Sequence, residues 1–422
     1  MRIVRRWLLA GALIVSTLPQ AAWAGEVDIL LNKLVEHGIL TASQAQDIRN
    51  EVNQEQVKQD KALDEKLAKA GPEWAQRTSW KGDFRLRNEY RDRSGTGNNT
   101  NRQRIRFRYG FTSKVSDELK VGARLATGSL TDPISTNDSF DDTFTKKGFN
   151  LDRAYLEYAP EMPGVSETKL IGGIIENPFW TPSPMVWDDD LSFDGAAAHV
   201  AQDIGPVKVF ANSGVFSLDT DETETASLWS VQGGVSATPL DGVTLTGALA
   251  YHDYKNVINH AKAGTDIVAN LGTNSTNLSI LPDVNLLNLN LELATKVAGV
   301  PASLSGDWVH NTSAEDEENG YNIGLKLGKA KKPIFSFTEG LNLKDGLEAG
   351  YFWQRLEANA QFDEFVDSDF GGGGTNHKGN VWYVKLGALK NSTIGIKWFD
   401  TEEVTGAKNH FDTVQMDWVT SF

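Results

Sequence analysis

The chain contains no cysteine, only four methionines and only seven histidines among its 422 residues. Lack of cysteine excludes disulfide frameworks, thiolate zinc sites and thiol nucleophiles together. Outside the first two dozen residues there is no apolar run long enough for a membrane-crossing helix, so a helical multi-span protein is excluded. Positive charge is also scarce: 41 Lys and Arg stand against 56 Asp and Glu, a net charge of −15. Such a surface argues against nucleic acid as a partner. Hydrophobic residues make up 40% and twelve tryptophans are spread along the chain, which excludes low-complexity disorder. Two classes remain: a soluble β-rich protein, or a barrel that turns one face of every strand to lipid.

The N-terminus has the form of an export signal. Arg2, Arg5 and Arg6 make a basic head, Trp7 to Leu18 an apolar stretch, and Ala22-Trp23-Ala24 a small-x-small cleavage site before Gly25. This reads as a signal peptide over residues 1–24, too short for a permanent anchor. Its removal takes three basic residues and no acid, so the charge falls from −15 to −18.

Residues 25–76 follow a helical period. Leu30, Leu31, Leu34 and Val35 recur at three- and four-residue steps, and His37-Gly38 stops the first helix. Thr41 with Gln44 three residues on forms a capping box that opens a second helix. That helix carries Ala45, Ile48, Val52, Leu63 and Leu67 on a thin apolar stripe. A periplasmic coiled coil joining copies and a solvated tether both fit it.

From Arg77 the period becomes two. In residues 101–111, Gln103, Ile105, Phe107, Tyr109 and Phe111 alternate with Arg102, Arg104, Arg106, Arg108 and Gly110. Residues 80–91 repeat this, with Phe84, Leu86 and Tyr90 against Arg85, Arg87, Glu89 and Arg91. A helix would smear the arginines around its surface; a strand separates them. Counting such segments over 77–422 predicts about 16 antiparallel strands. Short connections after even-numbered strands (116–117, 204–205, 239–241, 299–300, 391) alternate with long ones after odd-numbered strands (129–148, 177–192, 255–282, 359–378). That rhythm belongs to an all-β transmembrane barrel with periplasmic turns and external loops. Residues 330–344 break it, and a miscount is expected there first. Lipid offers the backbone no hydrogen-bond partners, so the sheet must close. Aromatics near segment ends, such as Trp80, Tyr158, Trp308, Trp382 and Trp398, fit interfacial girdles. The last strand alternates and ends on Trp418 and Phe422, the form of signal that the outer-membrane assembly machinery reads.

Several stretches of residues 80–200 resemble the bacterial "putative porin" family. They are Trp80-Lys-Gly-Asp-Phe-Arg-Leu-Arg, Asn101-Arg-Gln-Arg-Ile-Arg-Phe-Arg-Tyr-Gly, Gly122-Ala-Arg-Leu-Ala-Thr-Gly, Asp132-Pro-Ile-Ser-Thr-Asn, Leu151-Asp-Arg-Ala-Tyr-Leu, Asn177-Pro-Phe and Val186-Trp-Asp-Asp-Asp-Leu. The resemblance implies an outer-membrane diffusion channel for small hydrophilic solutes, preceded by a periplasmic helical segment. It implies no particular substrate, and it leaves a homotrimer open.

An arginine on the lipid face at mid-bilayer costs ~2–4 kcal/mol. Arg85, Arg87, Arg102, Arg104, Arg106, Arg108, Arg124 and Arg153 are therefore expected to line one arc of the lumen. The loop 177–192, with Asp188, Asp189 and Asp190 behind Trp187 and stiffened by Pro178, Pro182 and Pro184, is long enough to fold inward and oppose them. Facing charges would set a transverse field that filters solutes. The competing reading pairs the arginines with Glu89 and Glu157 as an ordinary wet wall, and a sharper one makes the arc a phosphate or anion channel. Asp188–Asp190 lack the spacing of a calcium loop, and no metal or cofactor is expected. Acidic runs at 219–224, 315–318 and 363–369 are expected outside, within reach of divalent ions and lipopolysaccharide. Gly371–Gly374 reads as a flexible loop tip. The histidines are scattered, which argues against an enzyme. A plugged barrel serving as an adhesin or envelope tether is the structural alternative.

Overall fold

The computed structural model describes residues 30–48, 50–51, 58, 73–94, 99–141, 143–220, 225–257, 284–336 and 340–422. The expected signal peptide, the expected continuation of the second helix with Val52, Leu63 and Leu67, most of the 255–282 connection and residues 221–224 of one acidic run lie outside them. The chain divides into two units, Met1–Gln76 and Arg77–Phe422. In the first, residues 30–36 and 42–48 are helical. The second of these opens on the expected capping box: Gln44 N–H donates to Thr41 Oγ1 at 3.2 Å and Thr41 N–H to Gln44 Oε1 at 3.0 Å.

The second unit is a closed antiparallel barrel of sixteen long strands. In chain order they are β1 Thr78–Arg93, β2 Thr100–Lys114, β3 Leu119–Ala126, β4 Asn150–Tyr158, β5 Glu167–Glu176, β6 Ser192–Ile204, β7 Val207–Thr220 and β8 Thr225–Leu240. They continue with β9 Val243–Lys255, β10 Asn285–Val297, β11 Val300–Asn311, β12 Asn319–Ala330, β13 Leu347–Leu356, β14 His377–Leu389, β15 Ser392–Glu403 and β16 His410–Ser421. Each pairs with its sequence neighbours, and β1 closes the ring on β16 with Arg85 opposite Val419 and Arg87 opposite Asp417. No long strand keeps an open edge, which is what hydrocarbon demands of a sheet. A two-residue strand, Asp138–Ser139, adds to β2 from the third connection.

The alternation read from the sequence sorts the two faces. On β1, Phe84, Leu86 and Tyr90 are exposed while Arg85, Arg87 and Glu89 are buried. On β16, Met416 and Trp418 are exposed while Thr413 and Gln415 are buried. A soluble protein does the reverse; here the apolar face is the outer one. Aromatic pairs stack along it, including Trp382 on Trp398 at 4.8 Å and Trp80 on Tyr109 at 5.5 Å. Phe107 lies among Phe84, Phe149 and the terminal Phe422 on the same face.

The long connection after β12 does not disturb the strand count. It folds as a small hairpin, Phe335–Ser336 against Gly340–Leu341, and one helical turn, Leu343–Gly346, capped by Asn342. Ile334 N–H donates to Gly387 O at 2.8 Å, and a Cβ on Gly387 would meet Lys332 O at 1.9 Å. Only glycine lets that loop lie against β14.

The apolar core lies inside the cylinder. Phe193, Phe216, Leu228, Tyr254, Leu286, Val309 and Leu356 project inward from β6–β11 and β13, and Met185, Val186, Trp187, Phe362 and Val366 of two loops pack onto them. Two expectations are corrected here. The 363–369 run is not external: Asp363 and Asp367 are buried, and the loop that carries them is folded into the barrel. Gly371–Gly374 is not a loose tip either; its residues hold φ between 63° and 96°, and the His377 ring fills the space where a Gly371 Cβ would go, 2.3 Å away.

Candidate functional site: an arginine wall facing two inward loops

Strands β1 and β2 carry the arginines because their polar positions share one pleat face. Register sets Arg85 opposite Arg106, Arg87 opposite Arg104, Glu89 opposite Arg102 and Asp83 opposite Arg108. Like charges face each other across the strands, an arrangement that destabilises a sheet unless counter-charges intervene. The counter-charges come from four directions. Asp83, on β1 itself, accepts from Arg106 Nε at 2.9 Å and Arg108 Nε at 2.8 Å. Asp417, brought alongside by barrel closure, takes Arg87 through Nε at 2.8 Å and Nη2 at 2.9 Å. Asp190, from the 177–192 loop, lies 3.0 Å from Arg108 Nη1 and 3.7 Å from Arg106 Nη1. Asp369, from the 357–376 loop, lies 3.1 Å from Arg87 Nη1. Glu89, wholly buried, takes Arg102 at 2.6 Å and Arg91 at 2.9 Å.

The 177–192 loop is held down on the far side of the lumen by a ladder of buried polar groups built around the Asp307 carboxyl. Ser183 Oγ donates to Asp307 Oδ2 at 2.6 Å, Asn288 Nδ2 donates to Asp307 Oδ1 at 2.6 Å, and Asn290 Nδ2 to Asn288 Oδ1 at 2.7 Å. Gln232 clasps the Trp180 backbone, accepting from its N–H and donating to its carbonyl, both at 2.8 Å. The second loop locks onto the first. Gln361 Nε2 donates to Val186 O at 2.9 Å, Asp188 N–H to Phe365 O at 2.9 Å, and Ser368 N–H to Asp188 Oδ2 at 2.9 Å.

The three adjacent aspartates do three different things. Asp190 faces the arginines; burial opposes its charge, but Arg106, Arg108 and Arg85 hold its carboxyl below the usual range. Asp188 turns away from them toward the second loop, where burial and the neighbouring Asp367 carboxyl push it up to about 8. Asp189 is exposed. The remaining two arginines sit apart from the main cluster. Arg124 pairs with Asp152, and Arg153 Nη1 with Glu176 at 3.0 Å. Glu157 pairs with Lys120 at 2.6 Å, not with an arginine. A cavity of about 520 Å³ runs beside Asp83, Arg108, Arg124, Arg153 and Glu176.

Trp418 and Phe422 lie on the outer face. Phe422 N–H donates to Gly82 O at 3.0 Å, and its ring covers Gly82.

Sequence reasoning missed Asp83, Asp369 and Asp417, and with them Ser135, Thr136 and Asn137. Thr136 donates to Asp190 Oδ2 through its hydroxyl at 2.9 Å and its N–H at 3.2 Å. Asp83 and Asp417 were detectable, because each holds a polar-face position on its strand. Asp369 had no such signal, since a loop has no period.

Among solved structures, OprB of Pseudomonas putida is similar over 82% of this chain and 94% of that one, with a TM-score of 0.52 at 10% identity. OmpF of Salmonella typhi, solved with daunomycin, matches over 82% and 97% with a TM-score of 0.48 at 10% identity. A porin of Rhodopseudomonas blastica matches over 81% and 99% with a TM-score of 0.43 at 11% identity. Only the first of these carries weight, and it speaks to the fold. No curated protein matches the sequence. A family model described as "putative porin" matches residues 40–96, 92–283 and 274–422. With that match spanning the barrel from end to end, the chain belongs to the "putative porin" family and is an outer-membrane β-barrel of the channel-forming kind.

Proposed function

We infer that the protein is a passive diffusion channel for small hydrophilic solutes and ions, narrowed and charge-filtered where the arginine wall meets the inward loops. The observation that carries this reading is Asp190 reaching Arg106 and Arg108 from a loop anchored on the opposite side of the barrel. Positive charge on one side and loop carboxylates on the other make a field across the passage, strong because little water screens it. The arginine cluster itself holds more cations than carboxylates, so the filter favours anions. Arg104→Glu with Arg106→Glu is expected to move the reversal potential of a salt gradient toward cation selectivity in planar bilayers. An unchanged potential would remove the filter and leave the pore.

The interior core favours a second reading, a barrel closed by its own loops and serving as an envelope tether. Trp187, Met185 and Phe362 occupy lumen that water would otherwise fill. Conductance of the purified protein separates the two: a tether passes no current.

A further inference from the structure

The carboxylates of the arginine wall are unevenly shared. Arg87, Arg106 and Arg108 each hold one at 2.8 Å. Glu89 is divided among four arginines, at 2.6 and 2.9 Å from Arg102 and Arg91 but at 3.9 Å from Arg87 and Arg104. Arg85 has no carboxylate within ion-pair distance among the described residues, although it is only 9% exposed. Its Nη2 donates to Asn137 Oδ1. Arg104 Nη2 reaches Ser135 Oγ at 3.4 Å, and Ser135 Oγ in turn accepts from Asn137 Nδ2 at 3.4 Å. The two guanidiniums thus meet the same short stretch of the 127–149 loop. Each also has a buried Nε without a hydrogen-bond partner.

Two guanidiniums roofed by one neutral loop stretch, with their Nη edges not saturated by carboxylates, are a receptor for an oxyanion. A guanidinium presents planar N–H forks that match a carboxylate, whose two oxygens accept from one fork or bridge two. We propose that Arg85 and Arg104, beneath Ser135 and Asn137, form a binding subsite for a single carboxylate group of a permeating solute. The proposal rests on the channel reading above and gives it a solute class. A solute entering from outside would exchange hydration for these donors and then meet Asp190 and Arg108, which borders the cavity beside Arg124 and Arg153. An uncharged sugar hydroxyl accepts only single hydrogen bonds from these donors, without the charge assistance and the matched pair of oxygens that a carboxylate offers.

The test is single-channel conductance of the full-length protein in planar bilayers, measured against concentration in sodium acetate, sodium phosphate and potassium chloride. Acetate conductance is expected to level off while that in potassium chloride continues to rise. Arg85→Gln with Arg104→Gln is expected to raise the half-saturating acetate concentration by about tenfold. Arg85→Lys with Arg104→Lys keeps the charge but removes the fork, and should raise it in the same direction. This pair serves if the neutral variant fails to assemble. A conducting wild-type barrel whose acetate conductance stays linear overturns the subsite alone. Saturation that survives both pairs of substitutions overturns its location, and saturation in phosphate but not acetate overturns the ligand class. No current in any salt removes the channel reading itself.

Discussion

The two sides of the lumen obey different rules. Along β1 and β2 the inward positions are chiefly arginine and carboxylate, paired with one another and with carboxylates of the two loops. Along β6–β13 the inward positions are mainly amides and large apolar groups, with the buried carboxyl of Asp307 among them, covered by two loops. The outer face is the same on both sides, oily and aromatic, because lipid imposes one demand all round. Lumen residues instead answer to whatever fills the lumen locally. Charge is therefore concentrated on one wall of the lumen, and on the proposed channel reading that asymmetry would mark the route.

That comparison breaks first at Trp187. Its ring packs edge-on against Phe193 and His252, both at 5.1 Å, within the loop-filled half. Trp187→Ala is expected to cost about 3–5 kcal/mol, to loosen the 177–192 loop and to raise single-channel conductance. Calorimetry and bilayer recording check this together, and unchanged values in both would mean that the loop does not limit the passage.

A smaller contrast comes from placing new charge on the covered side. Asn290 is fully buried on the amide ladder. Asn290→Asp should lower stability by about 1–3 kcal/mol through an imperfectly paired buried group, with little change in ion selectivity. The reversal potential is the readout. A shift as large as that from reversing Arg104 and Arg106 would erase the distinction between the two walls.

The loop-to-loop contact sharpens the comparison through pH. Burial and the nearby Asp367 raise Asp188 to about 8 from an ordinary 3.8, and burial raises Asp367 to about 6. Above 3.8 the unfolded loop releases the Asp188 proton while the docked loop keeps it, so docking weakens as pH rises and levels off above about 8. Hydrogen exchange at Ser368, whose N–H donates to Asp188, is expected to lose protection over that window beyond the intrinsic rise with pH. Asp188→Asn should flatten the excess. Arg87, Lys397, Arg91 and Arg85 keep the partner loop's Asp369 ionised throughout.

What the sequence disclosed follows from the same asymmetry. Every long strand was legible because lipid enforces a period of two on the outer face regardless of what lies inside. Arg104, Arg106 and Arg108 were placed inward for that reason, without knowledge of their partners. The amide ladder was hidden: Asn288, Asn290 and Gln232 carry no signal in the sequence beyond an inward polar position, yet Gln232 holds the Trp180 backbone and Asn290 accepts from the Thr181 hydroxyl. The 357–376 loop was misjudged because its acidic residues imply solvent, whereas Phe362, Val366 and Phe370 bury it. Loops carry no periodicity, and their direction is set by contacts distant in sequence.

The chain's lack of cysteine allows the inside-out arrangement to be tested one residue at a time. Arg106→Cys and Phe107→Cys, each treated with a charged, water-soluble thiosulfonate during bilayer recording, give the most direct measurement. The account predicts a stepwise drop in current at position 106 and none at 107. Modification at 107, or an unaltered current at a fully modified 106, would contradict it.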